Sequence, residues 1–263
     1  MVNEFCTTEK NEQEDRLISV LTGQDFGVAE DQLASLDMAK QFAHSYAHYI
    51  GGIAVLSDLQ HNICYIYSGR FGHNVLGISQ YALDTNSAFE HAIFNKVIHE
   101  DLLERHILEL RFFNFLKRVP ASEKTNYYAT CVIRLKRDGL PPLPVLHSTR
   151  YILCHANGSV WLGLCTYSPL PQFGGQRGGY IVNTNTGLAI DVDKYKQVDC
   201  NLLSKRQLEI LSLLAKGECS KQIADKLCIS VHTVNRHRQD ILSKLNVSNS
   251  AAAVEIGFRM QLI

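Results

Sequence analysis

The sequence predicts an α+β protein, an antiparallel sheet with helices over most of the chain followed by a separate all-α module. Short runs rich in β-branched and aromatic residues flank a long helical stretch: "IAVLSDLQHNICYIY" before it, and "YYATCVIRLKR", "LPVLHSTRYILCH" and "SVWLGLCTYSP" after it. From residue 203 onward, apolar residues recur at three- and four-residue steps between short cap and stop signals. Charge is asymmetric. The chain balances 26 basic against 26 acidic residues, yet residues 201–263 hold nine Lys/Arg and five Asp/Glu, leaving seventeen and twenty-one for the rest. A neutral protein with a basic end fits a DNA-binding module attached to something else.

At 263 residues, 46% of them hydrophobic and 20% charged, the chain has room for two ordinary domains and a buried core. Its eight cysteines are scattered, with no C-x-x-C and no metal-ligand spacing, and read as reduced thiols acting as small buried hydrophobes. The opening "MVNEFCTTEKNEQEDR" is polar and acidic, unlike a secretory signal. No apolar run approaches the roughly 20 residues that span a bilayer. The expectation is a cytoplasmic protein without a membrane partner.

Taken in order, residues 1–50 read as an N-terminal extension: polar to about residue 30, with "RLISVL" as a short helix, then helical. In that helix Leu33, Leu36, Ala39 or Lys40, Ala43 and Ala47 recur along one face. "IGG" at 50–52 stops it. IAVLSD and NICYIY read as a hairpin, residues 72–119 as mostly helical, and the three later runs as antiparallel strands. Their turns are "DGLPPLP" and "ANG", with Asn157-Gly158 a strong hairpin signal. Residues 51–169 thus form one domain. Residues 170–200 read as a linker, opened by "PLPQFGGQRGG" and with room for a small hairpin around "NTNTG".

The module at residues 201–263 carries the chemistry. Ser204 and Gln207 spell a capping box, Leu208, Leu211 and Leu214 an inner stripe, and Gly217 a stop. A second helix starts at Ser220 with Ile223, Ala224 and Leu227 inward, and only "CI" separates it from Ser230, the cap of a third. A short helix, tight turn and longer helix make helix-turn-helix geometry. At about 100° per residue, Val234, Ile241 and Leu245 share one seam of the third helix, while His232, Arg236, Gln239 and Ser243 lie opposite and Asn235 flanks them. Arg reads guanine O6/N7 and Asn or Gln reads adenine N6/N7. The candidate DNA-binding residues are therefore Lys221, His232, Thr233, Asn235, Arg236, Gln239 and Lys244, with Lys221 and Lys244 either phosphate contacts or simply solvated. Arg238 falls on the core side, and Glu209 is its expected partner.

"LSKRQLEILSLLAKGECSKQIADKLCISVHTVNRHRQDILSKLNVSN" with the following "SAAAVEIG" resembles the LuxR-type helix-turn-helix of bacterial transcription regulators. The resemblance implies a four-helix domain whose third helix reads double-stranded DNA and whose fourth, near residues 250–258, supports a homodimer. Relatives often carry Lys at or near positions 235 and 239; this chain has Asn235 and Gln239 there, so the operator does not carry over.

Residues 52–169 resemble a PAS domain in the order of their elements, in "LG-S" at 76–79, in "VIHEDLLERH" where that family has an acidic step, and in the "LKRDG" turn. The resemblance implies a pocket between sheet and helices that senses a small-molecule signal, or a surface that pairs two copies. The alternative is a pure protein-interaction module without a ligand. No cysteine has the context of flavin photochemistry. His91, His99 and His106 read as surface or helix-terminal residues rather than haem ligands, and His44 and His48 lack the third ligand of a metal site. Trp161, Tyr65, Tyr151 and Tyr167 read as core. No nucleophile, base or phosphate loop converges on enzyme chemistry. The expectation is a regulator with no cofactor, no metal and no catalytic residue.

Overall fold

β1 (Ile53–Asp58) and β2 (Ile63–Ser68) pair antiparallel, in register from Ile53 opposite Ser68 to Asp58 opposite Ile63. Asn62, in the turn between them, takes a positive φ of 55°, a conformation that Asn tolerates better than most residues. The structure is a computed structural model describing residues 17–27, 32–170, 179–186, 189–190, 202–260 and 262–263. The polar start, Cys6, Cys200, most of "PLPQFGGQRGG" and residues 191–200 lie outside the described residues.

The chain divides into two compact units, Val20–Ile190 and one that takes in Asp191–Ile263. Residues 17–22 form α1, at the place of "RLISVL". α2 (Gln32–Ile50) buries Ala39, Ala43 and Ala47 against Leu56, Tyr65, Tyr67, Trp161 and Leu164. Three alanines one turn apart bring the helix close to the sheet. Leu33, expected on that face, is 80% exposed; it stands at the helix start, before the packed alanines begin.

α3 (Arg70–Leu76), β3 (Tyr81–Asp84), α4 (His91–Phe94) and α5 (His99–Leu116) follow. β3 corrects the helical reading of this stretch: four residues extend the sheet beyond β2, too short for alternation to be read against its helical surroundings. A 3-10 turn, Ala121–Asn126, leads to β4 (Tyr127–Arg137), β5 (Leu140–Cys154) and β6 (Val160–Pro169). The β4–β5 turn is only Asp138-Gly139, with Gly139 at φ 67°. The prolines of "DGLPPLP" belong to β5 itself. There β5 pairs with β4 alone, because β6 pairing begins at Val145, and a strand with one free side tolerates proline. β7 (Tyr180–Asn183) lies within the segment read as linker and hairpin; it pairs with β4, and Val182 bridges Ala189.

Among the described residues the strands form one seven-stranded antiparallel sheet in the order β3-β2-β1-β6-β5-β4-β7. β1 is buried at every residue, as befits a strand covered on both faces. The acidic step of "VIHEDLLERH" anchors α5 to the sheet. Asp101 accepts from the Arg134 backbone N–H at 2.7 Å and from its guanidinium at 2.8 and 2.6 Å. Among the described residues no helix is long and apolar enough to cross a membrane.

The C-terminal unit consists of α6 (Lys205–Ala215), α7 (Ser220–Leu227), α8 (Val231–Leu245) and α9 (Ser250–Arg259). Its core includes Leu203, Ile210, Leu211, Ile223, Val234, Ile241, Leu245, Val247 and Ala253, none more than 2% exposed.

Candidate nucleic-acid interface

Ser204 Oγ accepts from the Gln207 backbone N–H at 3.3 Å, and Gln207 Oε1 accepts from the Ser204 N–H at 2.9 Å. This is the reciprocal capping box of the sequence. α6 stops before Gly217, at φ 82°. Its buried arc is Gln207, Ile210 and Leu211. Leu208 and Leu214, expected in the stripe, are half-buried, because α6 packs against α8 and α9 together and turns its arc between them.

α7 ends at Cys228 in the left-handed conformation, φ 53°. Two residues later Ser230 caps α8, its Oγ accepting from the Thr233 N–H at 3.0 Å. Val234, Ile241 and Leu245 are each fully buried, while His232, Asn235, Arg236, Gln239 and Ser243 are exposed. The three-residue turn Cys228–Ser230 thus fixes α8 against α7 with one polar face left open.

Lys221 is exposed on the first turn of α7. Thr233 is half-buried, and its hydroxyl lies 2.8 Å from the Ser230 Oγ within the cap. Lys244 Nζ donates to Gln207 Oε1 at 2.8 Å, tying the last turn of α8 to the α6 cap and leaving two of its three N–H groups. Arg238 pairs within the domain, but not with Glu209: it donates to Ser220 Oγ at 2.6 Å and to Ser250 Oγ at 2.9 Å. Glu209 is exposed and pairs with Arg206 at 2.8 Å. The guanidinium instead joins the first residues of α7 and α9. Ser220 also donates to Asn235 Oδ1 at 2.8 Å. Sequence reasoning missed Ser220, whose signal is its place at the start of the helix that crosses α8. Cys219 and Cys228, read as buried hydrophobes, are exposed at the two ends of α7.

The interior of the N-terminal unit holds a second candidate site. Arg105 on α5 is 2% exposed, with Nη1 2.5 Å from Glu109 Oε2 and Nη2 3.6 Å from Glu90 Oε1. Its Nε donates to His147 Nε2 at 3.1 Å, and its Cζ lies 4.5 Å from the Phe94 ring centroid. Tyr167 donates to Glu90 Oε1 and stacks on His147 at 4.7 Å. Burial opposes the Arg105 charge, but Glu109 and Glu90 overcome that and hold it more firmly protonated than usual. Burial, and then Arg105, push His147 well below its ordinary range. His147 is therefore neutral, its Nε2 accepting from Arg105 and its Nδ1–H facing the Thr166 carbonyl at 3.3 Å. Burial pushes Glu109 up to about 7, Arg105 pulling against it and Glu90 adding to it, because two carboxylates share one guanidinium. Glu90 Oε2 and Tyr151 Oη are buried without a hydrogen-bond partner among the described residues.

His106 is 8% exposed, packed edge-on against Phe94 and parallel to Phe89, not a surface or helix-terminal histidine as read; α4 covers it. Trp161, Tyr65, Tyr151 and Tyr167 are buried as expected, with Trp161 donating to Asp58 at 3.0 Å. His44 and His48 lie 4.6 Å apart on α2, His44 edge-on to Tyr67.

The short helix α7, a three-residue turn, the Ser230 cap and an exposed polar face on the longer α8 define a helix-turn-helix module of the DNA-binding class. Residues 201–256 match the GerE family, the bacterial regulatory proteins of the luxR family, and the C-terminal unit is a LuxR-type helix-turn-helix domain. Oxygen regulatory protein NreC of Staphylococcus aureus, in strains JH9 and JH1, is 39% identical over 84 residues, 32% of this chain and 36% of that protein. The chain thus spans about a third of the length of the curated relatives it matches. Among solved structures, the phage VqmA–DPO complex is 14% identical, covers 88% of this chain and 92% of its own, and has a TM-score of 0.29. Escherichia coli SdiA is 18% identical, with coverage of 94% and 97% and a TM-score of 0.23.

Proposed function

We propose that the protein is a sequence-specific transcriptional regulator, with α8 in the major groove and the N-terminal unit sensing a signal or holding a homodimer. The observation that carries this reading is the open face of His232, Asn235, Arg236 and Gln239 on α8, opposite a fully buried seam. Lys221 and the free N–H groups of Lys244 supply phosphate contacts, and Thr233 serves through the cap. Paired modules would engage half-sites about one helical turn apart. Arg236→Ala tests the reading: affinity for a selected site falls by about 1–3 kcal/mol while non-specific binding stays nearly unchanged. Equal losses on both DNAs make Arg236 a backbone contact and remove the base-reading role.

The strand order β2-β1-β6-β5-β4, with helices inserted between the hairpin and the last three strands, supports a PAS-like reading of the N-terminal unit. The unpartnered Glu90 and Tyr151 oxygens favour a ligand in its interior. A specific observation also favours the interaction-module reading: an open groove of about 440 Å³ on the sheet, lined by Phe42, Tyr46, Leu146, Ile152 and Tyr180. On α2, which supplies Phe42 and Tyr46 to that groove, Met38 and Tyr49 are exposed at 67% and 89%. Native mass spectrometry of the full-length chain separates the two: a small adduct lost on denaturation supports the sensor, a bare dimer the interaction module.

A further inference from the structure

A paired contact to adenine needs both ends of an asparagine amide, the oxygen accepting from N6 and the nitrogen donating to N7. In Asn235 one of those two ends is already engaged within the domain. Its Oδ1 is held at 2.8 Å by the Ser220 hydroxyl. That hydroxyl accepts from Arg238 Nη1 at 2.6 Å, so its one hydrogen turns to Asn235. Arg238 is fixed in turn by Ser250 at 2.9 Å. The chain Ser250–Arg238–Ser220–Asn235 therefore links the starts of α9 and α7 to the exposed face of α8, and it leaves the N–H₂ of Asn235 as the unengaged end of the amide.

We infer that Ser220 and Arg238 are positioning residues that hold Asn235 as a hydrogen-bond donor, so that it selects an acceptor edge, guanine O6/N7 or thymine O4, rather than pairing with adenine. The inference rests on the reading of α8 as the recognition helix and adds to it the class of base that Asn235 takes. It also separates the two amides of the face: among the described residues no group of the domain donates to the Gln239 amide oxygen, whereas that of Asn235 already accepts from Ser220.

The test is selection of bound duplexes from a random-sequence library with the full-length chain, its N235A variant and the double variant S220A/R238M. The double change is used because the Arg238 guanidinium could otherwise take the carbonyl that S220A releases. Alanine at 220 suits a helix, and the α7 N-cap is Cys219, so α7 keeps its start; thermal melting confirms the fold. The wild type should select guanine or thymine at one position per half-site whose preference N235A abolishes. At that position S220A/R238M should shift preference toward adenine by about tenfold, the scale of a two-bond base contact. Adenine at the Asn235-dependent position of the wild type overturns the inference whatever the double variant does. An unchanged base preference in a folded double variant overturns it too. A motif that N235A leaves untouched overturns it while the DNA reading stands, and a wild type that enriches no sequence removes both.

Discussion

At the scale of single residues, Glu109 gives the most direct prediction. Its carboxyl is 5% exposed and faces Arg105 on its own helix, with Glu90 competing for the same guanidinium, neutral His147 on β5 beyond it, and Tyr151 and Tyr167 on β5 and β6. Its pKa is pushed up to about 7 by burial, against about 4.3 for a solvated glutamate in the unfolded chain. The folded state therefore keeps a proton that the unfolded state has lost. The stability tied to that proton is fully present below about pH 4.3 and disappears as pH rises through about 7, a swing on the order of 3 kcal/mol. Glu109→Gln should flatten the fall in melting temperature across that window relative to the wild type. Parallel pH profiles for the two proteins would remove Glu109 as the titrating group.

At the scale of elements, the helix caps decide how well α8 is aimed. Ser230 satisfies the Thr233 N–H and closes the turn from α7, so Ser230→Ala should cost the C-terminal unit about 1 kcal/mol in chemical unfolding. DNA affinity should fall with it, because the first turn of α8 carries His232. A variant with unchanged stability would mean that packing of Val234 alone fixes the turn. These caps were legible in the sequence because each is local: Ser204 with Gln207, and Ser230 just past "CI". The hairpin and the three later strands were legible for the same reason, through alternation and the Asn157-Gly158 turn. What was not legible depends on partners distant in the chain. β3 is a four-residue edge whose reason to extend is its neighbour β2, and β7, at the place of the small hairpin, joins the sheet through β4, a pairing that nothing local announces. Glu90, Arg105, His147 and Tyr167 come together from four separate elements, and no spacing rule connects them. Arg238 shows both sides: its angle on the helix placed it inward, while its serine partners follow from where α7 and α9 begin.

For the whole molecule, the question is whether the sensory reading of one unit has any hold on the DNA reading of the other. The C-terminal unit has its own buried core and its own caps, so residues 201–263 should fold alone and bind DNA weakly as a single module. If the N-terminal unit pairs two copies, the full-length chain presents two recognition helices at once. The second contact then becomes intramolecular, and affinity for a two-half-site duplex should exceed that of the isolated unit by roughly a hundredfold. A signal bound by the N-terminal unit can alter that advantage only if it binds the DNA-competent and incompetent arrangements unequally. The measurement is DNA affinity of the full-length chain and of residues 201–263 on one- and two-half-site duplexes at matched salt, since phosphate contacts make any single value salt-dependent. A large full-length advantage confined to the two-half-site duplex supports pairing through the N-terminal unit. Equal affinity on both duplexes under every condition would mean that the N-terminal unit neither pairs the modules nor governs them, and its open sheet groove would then be sought in contacts with a different protein.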